Sequence, residues 1–191
     1  MLKLDIPHIH CPALNALAVL AIDSSTEFGL ALAGGAVRNA ALGLPESDHD
    51  IIIFDFEDEN YTLIDEIDAA LHKAGYTLHT VADSEEYADA RVWMVRQYSH
   101  AVYPELDVLF HPEDRSVQEV LRKHDYNINN YCVVVDDIAD SERQTAYFIG
   151  DAPQGVLYRQ PYQEEIDESR VRHIIGIADA AGWAVPPSYR E

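Results

Sequence analysis

Gly34-Gly35-Ala36-Val37-Arg38-Asn39, followed by Leu42-Gly43 and then Asp48-His49-Asp50-Ile51-Ile52-Ile53-Phe54, joins a glycine turn, a short helix and a pair of carboxylates. The short apolar run from Phe28 to Ala33 ahead of it suits a buried strand. Gly35 to Leu42 reads as a short helix closed by Gly43 and Pro45. His49 to Phe54 is isoleucine-rich and reads as a second strand. Strand, glycine turn, helix, strand is a phosphate-handling arrangement. Glycines let the backbone approach a phosphate closely, and the helix that follows offers free N–H groups at its positive dipole end. Arg38, in the first turn, can add a charge-assisted bond to a triphosphate. Side chains on a strand alternate faces, so Asp48 and Asp50 are expected on one side. Two carboxylates that close repel unless positive charge lies between them. Hard oxygen ligands suit Mg²⁺ or Mn²⁺, with triphosphate oxygens completing the shell.

Working outward, Pro12 opens a helical pattern that ends near Asp23. Leu63, Ile64, Ile67, Ala70 and Leu71 recur at helical spacing within Thr62 to Ala74, and Gly75 closes the run. Arg91 to Tyr98 and Val102 to Phe110 read as strands joined by a turn. A helix is expected from Ser116 to Lys123, a strand from Tyr131 to Val135, and a last helix from Glu164 to Ala181, stopped by Gly182 and Pro186-Pro187. Neighbouring strands joined by hairpins, interrupted by single helices, predict an α+β fold rather than a doubly wound sheet. Asp107 stands among apolar neighbours in Leu106-Asp107-Val108-Leu109-Phe110, where an acid either faces solvent or lines a site.

The chain has 191 residues, 48% of them apolar, enough for one domain and a small appendage. Lys and Arg total 13 against 34 Asp and Glu, a net charge of -21. Proteins that grip long nucleic acids spread basic groups over a face, so this balance disfavours a large tRNA footprint. Cys11 and Cys132 are far apart with no CxxC, which fits a reducing cytoplasm. The apolar run from Ala13 to Ile22 is too short to span a membrane, so no membrane partner is expected. His8, His10 and Cys11 match no standard zinc spacing and read as an N-terminal segment. Trp93 and Met94 are expected in the core, Glu57-Asp58-Glu59 and Asp136-Asp137 on surface loops, and His49 in packing or at the surface.

The glycine turn and Asp-x-Asp pair resemble the signature of the class II CCA-adding enzymes and bacterial poly(A) polymerases, within the polymerase-beta-like nucleotidyltransferase superfamily. Two further segments match in the same order. Lys123-His124-Asp125-Tyr126-Asn127-Ile128-Asn129-Asn130 is similar to that group's Arg-Arg-Asp-Phe-Thr-x-Asn-Ala motif, with Lys123 and His124 in place of the paired arginines. Asp167-Glu168-Ser169-Arg170 is similar to its Glu-Asp-x-x-Arg element, with Ile166 where a Glu is expected. Asn39 stands where an Asp commonly follows Val-Arg.

The resemblance implies a nucleotidyltransferase head with a mixed or antiparallel sheet and flanking helices over 1–150, plus a short helical neck over 151–191. It implies a minimal form lacking body and tail. It implies an enzyme that transfers NMP from an NTP to an acceptor hydroxyl, with Asp48, Asp50 and Asp107 as catalytic and metal-binding carboxylates and Mg²⁺ (or Mn²⁺) as cofactor. Asp107 would assist the nucleophile. Gly34, Gly35 and Arg38 would hold the triphosphate, while Lys123, Asp125 and Asn129 would shape the sugar pocket and Asp167 and Arg170 would read the base. An RNA 3′ end, a protein hydroxyl and a small molecule stay open as acceptors. The alternatives are a nucleotide-binding regulatory module without turnover and an acidic interaction protein.

Overall fold

The run Gly29–Ala33 (β2) passes into the helix Gly34–Leu42 (α2) with no intervening loop. Gly34 makes this turn with φ of 65°, a left-handed value that a side-chain-bearing residue adopts only at a cost. Gly43 closes the helix in the same conformation, its N–H donating to the Asn39 carbonyl. The chain returns as His49–Phe54 (β3), antiparallel to β2.

These elements lie within a computed structural model that describes residues 1–24, 26–57, 61–83, 92–134, 143–150, 155–161 and 166–190. The remaining elements are β1 (Leu2–Pro7), α1 (Pro12–Asp23), α3 (Tyr61–Lys73), β4 (Thr77–Asp83), β5 (Met94–Ser99), β6 (Leu106–His111), α4 (Val117–Arg122), β7 (Tyr131–Val134), β8 (Arg143–Phe148) and α5 (Glu168–Ala180). The described strands form one eight-stranded sheet in the order β1-β8-β7-β2-β3-β6-β5-β4. β3 and β6 run parallel, and the other described pairs are antiparallel. The fold is α+β with a mixed sheet, as the sequence predicts.

The two faces of the sheet are covered differently. Leu30, Leu32, Ile51, Ile53, Val108 and Phe110 join α1, α2 and α3 in the larger core, through Leu14, Leu17, Val37, Leu63, Ile67 and Leu71. On the other face Ala31, Ala33, Ile52 and Cys132 pack against Val117, Val120 and Leu121 of α4, with Phe54 at the margin. Alternation places Asp50, two residues before Ile52, on this α4 side.

Three strands, β1, β4 and β8, are not among the elements predicted above. Expected boundaries also shift. The strand anticipated from Val102 begins only at Leu106, because the His100 side chain accepts the backbone N–H groups of Val102 and Tyr103 and holds them in a turn. The last helix begins at Glu168, capped by Asp167, whose carboxylate accepts the Ser169 N–H. Arg91, Val135, Asp58, Glu59, Asp136, Asp137 and Glu164 lie outside the described residues. Trp93 and Met94 lean against the large core as expected. Past residue 150, Leu157, Ile174, Ala178 and Trp183 enter the same core as Tyr126, Ile128 and Phe148. No helix among the described residues is long and apolar enough to cross a membrane.

Candidate active site

Sheet register brings the first group of residues together. Ala33 on β2 faces Asp50 on β3, Asp50 faces Asp107 on β6, and Asp107 faces Gln97 on β5. Register partners on adjacent strands project to the same side, so the two carboxylates are neighbours. Small Ala33 leaves room beside Asp50 for the glycine turn. Gly35 N–H donates to Asp50 Oδ2 at 3.3 Å. A methyl on Gly34 would stand 2.1 Å from the same oxygen, so only glycine permits this approach. Gln97 Nε2 donates to both oxygens of Asp107, at 3.1 and 3.3 Å.

The electrostatics follow from crowding like charges on a partly dry surface. Burial, then the Asp107 charge, pushes Asp50 up to about 7, against relief from Gly35 N–H and Arg38. Burial also raises Asp107, joined by the charges of Asp48 and Glu105 and opposed by the Gln97 bond. Asp48 is exposed and immediately precedes β3. The three carboxylates of the expected triad neighbour one another without closing into a cage. Among the described residues, no three His, Cys, Asp or Glu side chains are gathered tightly enough to hold a metal ion between them. The donor set nonetheless fits a hard divalent cation: it is all oxygen, and its mutual repulsion is what a cation would relieve.

A polar relay forms the second group. Arg38 is buried at 7% exposure. Its Nη1 donates to Asn129 Oδ1 at 2.7 Å, and its Nε to Asn39 Oδ1 at 2.9 Å. Asn129 Nδ2 in turn donates to Asp125 Oδ1 at 2.9 Å, and Arg170 Nε donates to Asp125 Oδ2 at 2.6 Å. Burial and the nearby Arg170 charge lower the Arg38 pKa, while Asp50 and Asp125 oppose them. Burial alone would raise Asp125, but the Arg170 bond and charge, with Asn129 and the Tyr126 N–H, hold it below the ordinary carboxylate range. Asn39, where an Asp is the pattern, keeps a structural bond by donating Nδ2 to the Pro45 carbonyl at 2.6 Å.

Of the residues singled out in the sequence, Gly34, Gly35, Asp50 and Asp107 form one group, with Asp48 beside it, and Arg38, Asp125, Asn129 and Arg170 a second, the two joined by the electrostatic interaction of Arg38 with Asp50. Two are engaged elsewhere. The Lys123 ammonium binds Asp114. Asp167 is exposed and turned to its own helix start, so it does not join Arg170 as the i to i+3 spacing suggests. Arg170 spends its reach on Asp125 instead. His49 is fully buried between the two acids in sequence, and burial lowers its pKa. Sequence reasoning misses Gln97 and Asp114. A polar residue inside the expected strand Arg91 to Tyr98 is the only signal for Gln97, and it says nothing about which residue lies opposite.

No protein-family model matches this chain, and no curated protein sequence matches it. Solved structures do. A Thermotoga maritima CCA-adding enzyme complexed with tRNA superposes with a TM-score of 0.61 at 16% identity, over 100% of this chain and 44% of that one. A CCA-adding enzyme in an apo form gives 0.56 at 13% identity, over 94% of this chain and 39% of that one. A tRNA nucleotidyltransferase complexed with a primer tRNA and an incoming ATP analog gives 0.54 at 19% identity, over 91% and 47%. The chain spans less than half the length of each of these proteins. An eight-stranded mixed sheet that superposes over nearly its full extent on these proteins gives the chain the fold of the nucleotidyltransferase head of CCA-adding enzymes.

Proposed function

We propose that this chain is a divalent-metal-dependent nucleotidyltransferase that moves NMP from an NTP to an acceptor hydroxyl and releases pyrophosphate. The observation that carries this reading is the meeting of three parts at one place: a glycine turn at a helix start bonded to Asp50, an in-register pair of carboxylates, and a buried arginine whose charge acts on Asp50. Asp48, Asp50 and Asp107 would hold Mg²⁺ or Mn²⁺, which, when bound, neutralises triphosphate charge and stabilises the departing pyrophosphate. Gly34 and Gly35 admit the triphosphate against the backbone, and the α2 N-terminus and Arg38 supply its positive partners. Asp107, in register with Asp50, accepts the proton of the acceptor hydroxyl as the new O–P bond forms and the bond from the α-phosphorus to pyrophosphate breaks. Asp125 and Asn129 hold Arg38 and border the sugar pocket. Arg170 acts on the base only as far as its bond to Asp125 allows, and Lys123 and Asp167 contribute less than their motifs suggest. We further propose residues 1–150 as the head and 151–191 as its neck-like extension, acting in the cytoplasm.

Two structures of similar fold are described as bound to tRNA. With a net charge of -21, this chain is better suited to an acceptor that brings few phosphates. The test is incubation with α-labelled NTPs and Mg²⁺ or Mn²⁺ and a mixed pool of RNA and protein. Label transfer that disappears in the Asp48→Ala, Asp50→Ala double variant supports the enzyme. NTP binding without transfer points to a nucleotide-binding module, and the absence of both refutes the nucleotide reading.

A further inference from the structure

We propose that His79, Thr80 and Gln97 form the acceptor subsite, and that the acceptor they take is a small uncharged sugar of one or two rings. Its role as acceptor rests on the transferase reading above; the binding of a sugar to these residues does not.

One extra residue in the edge strand builds the subsite. β4 pairs with β5 up to Leu78 opposite Tyr98, and again from Thr80 opposite Gln97. His79 is the residue left over between these pairs. On a regular strand two successive side chains point to opposite faces. Here His79 Nδ1 and Thr80 Oγ1 are hydrogen-bonded at 2.9 Å. The bulge therefore turns the imidazole to the side that Thr80 occupies. That is the side of the carboxylates. Thr80 faces Gln97, Gln97 faces Asp107, and Asp107 faces Asp50. His79 also acts electrostatically on Asp107, against the charges of Asp48 and Glu105.

Neighbouring strands lie about 4.8 Å apart, so Gln97 is one step and Thr80 two steps from Asp107, a row about 10 Å long. His79 and Thr80 are exposed, and Gln97 and Asp107 are half-buried. A ligand laid along the row over β4 and β5 keeps one end beside the carboxylates.

The groups select the ligand. Gln97 Nε2 donates to both oxygens of Asp107, which leaves Oε1 as an acceptor. The Thr80 hydroxyl and His79 Nε2 can each donate or accept. Hydroxyls do both, so several of them on one compact frame satisfy the whole row. A phosphate fits poorly. Arg96, the cation of β5, faces Val108 in register and binds Asp68 on the helix-covered side, while the charges of Asp48 and Glu105 bear on Asp107. A peptide docking as an added strand fits poorly too, because a bulge twists a sheet edge away from pairing. The acceptor that remains is an uncharged sugar. One of its hydroxyl oxygens bonds the α-phosphorus of the NTP, the bond from that phosphorus to pyrophosphate breaks, and the hydroxyl proton passes to Asp107. The products are a sugar–NMP phosphodiester and pyrophosphate.

The experiment uses the full chain and a set of uncharged sugars: glucose, mannose, galactose, maltose and lactose. Glucose 6-phosphate and mannose 6-phosphate are the anionic counterparts. Saturation-transfer NMR without NTP reads binding, and α-labelled NTPs with Mg²⁺ or Mn²⁺ read transfer. At least one uncharged sugar should bind and take label, and its phosphate should do both less well. His79→Ala and Thr80→Val should each weaken sugar binding and raise the sugar KM roughly 2- to 10-fold, the loss of one hydrogen bond. The KM for NTP should not change. Thr80→Ser, which keeps the hydroxyl, should stay within about 2-fold. Circular dichroism checks folding, and the exposure of both positions makes the substitutions mild. Sugar binding that depends on His79 and Thr80 without any transfer supports the subsite and removes the transferase reading. Transfer to RNA or protein but to no sugar, or sugar transfer with an unchanged sugar KM in both variants, overturns the subsite and keeps the transferase. Neither sugar binding nor transfer to any acceptor overturns both.

Discussion

Replacing Gly34 by alanine tests the contact on which the candidate site depends, and Gly43→Ala supplies its control. Both glycines adopt nearly the same left-handed backbone, φ of 65° and 69°. Each substitution therefore meets the same backbone penalty, about 1–2 kcal/mol. Their surroundings differ. A methyl at Gly43 meets nothing within 4 Å, whereas one at Gly34 would lie 2.1 Å from Asp50 Oδ2. Ordinary contact begins near 3.4 Å, so the carboxylate must retreat by more than 1 Å. At pH 8, where Asp50 is ionised, that retreat breaks the Gly35 N–H bond to Asp50, a charged bond whose loss adds about 1.5–3 kcal/mol. Urea unfolding should accordingly show Gly34→Ala less stable than Gly43→Ala by about 2 kcal/mol. A displacement of this size at a reacting group costs on the order of 10²-fold in rate. Transfer of α-labelled NMP should fall by that factor in Gly34→Ala and stay near wild type in Gly43→Ala. Calorimetric titration with Mg·NTP gives a readout independent of the acceptor. Equal stability losses in the two variants, with wild-type nucleotide binding in Gly34→Ala, would refute the proposed role of the glycine turn.

Other consequences follow from the same contacts. Asp50, pushed up to about 7, keeps its proton in the folded state while the unfolded chain has lost it above the ordinary carboxylate value of 3.8. The Asp50 contribution to stability should thus fall as pH rises from about 4 to 7. Asp50→Asn should match wild type near pH 4 and unfold at a higher temperature at pH 8; parallel curves for the two proteins would contradict this. Mg²⁺ should raise the melting temperature of wild type at pH 8 and not that of Asp50→Asn, which differential scanning fluorimetry reads directly. Arg170→Ala leaves Asp125 without its ion-pair partner. Because the Arg170 side chain is 47% exposed, the loss should be about 1–2 kcal/mol, below the 3–5 kcal/mol of a fully buried pair. Asp125 has a depressed pKa, so that loss should be full at neutral pH and shrink as acid protonates Asp125. Cys11 and Cys132 are buried, with thiols pushed up to about 11 and about 12. Neither should react with a thiol reagent at pH 8 until urea is added.

Parts of the fold are legible in the sequence because they are local. The period of Leu63, Ile64, Ile67 and Leu71 marks α3, and those residues are buried as one face. The isoleucine run marks β3. The edge strands are less legible. β1 does alternate, Leu2, Leu4 and Ile6 against Lys3 and Asp5, but the run is short, ends in Pro7, and only Ile6 is buried. In β4 the residues Thr77 to Val81 are all exposed, leaving no apolar stripe to read.

The candidate site divides along the same line. Its individual parts can be read from spacing: two glycines before a helix, acids two apart on a strand, an Asp and an Asn four residues apart. Which part meets which cannot. Arg38 bonds Asn129 across 91 residues of chain, and Arg170 bonds Asp125 across 45. The i to i+3 spacing suggests that Asp167 and Arg170 act together, but a helix start with free N–H groups is a nearer partner for Asp167 than the arginine is.

Local backbone choices are written in the residues, because a glycine's φ range, a strand's alternation and a helix's period are properties of chain neighbours. That Asp50 sits opposite Asp107, that Gln97 holds Asp107, and that Arg38 and Arg170 meet through Asp125 and Asn129 emerges with the folded sheet. Those partners are chosen by strand order and register, and one crossover in the sheet changes every cross-strand neighbour without altering a single local preference.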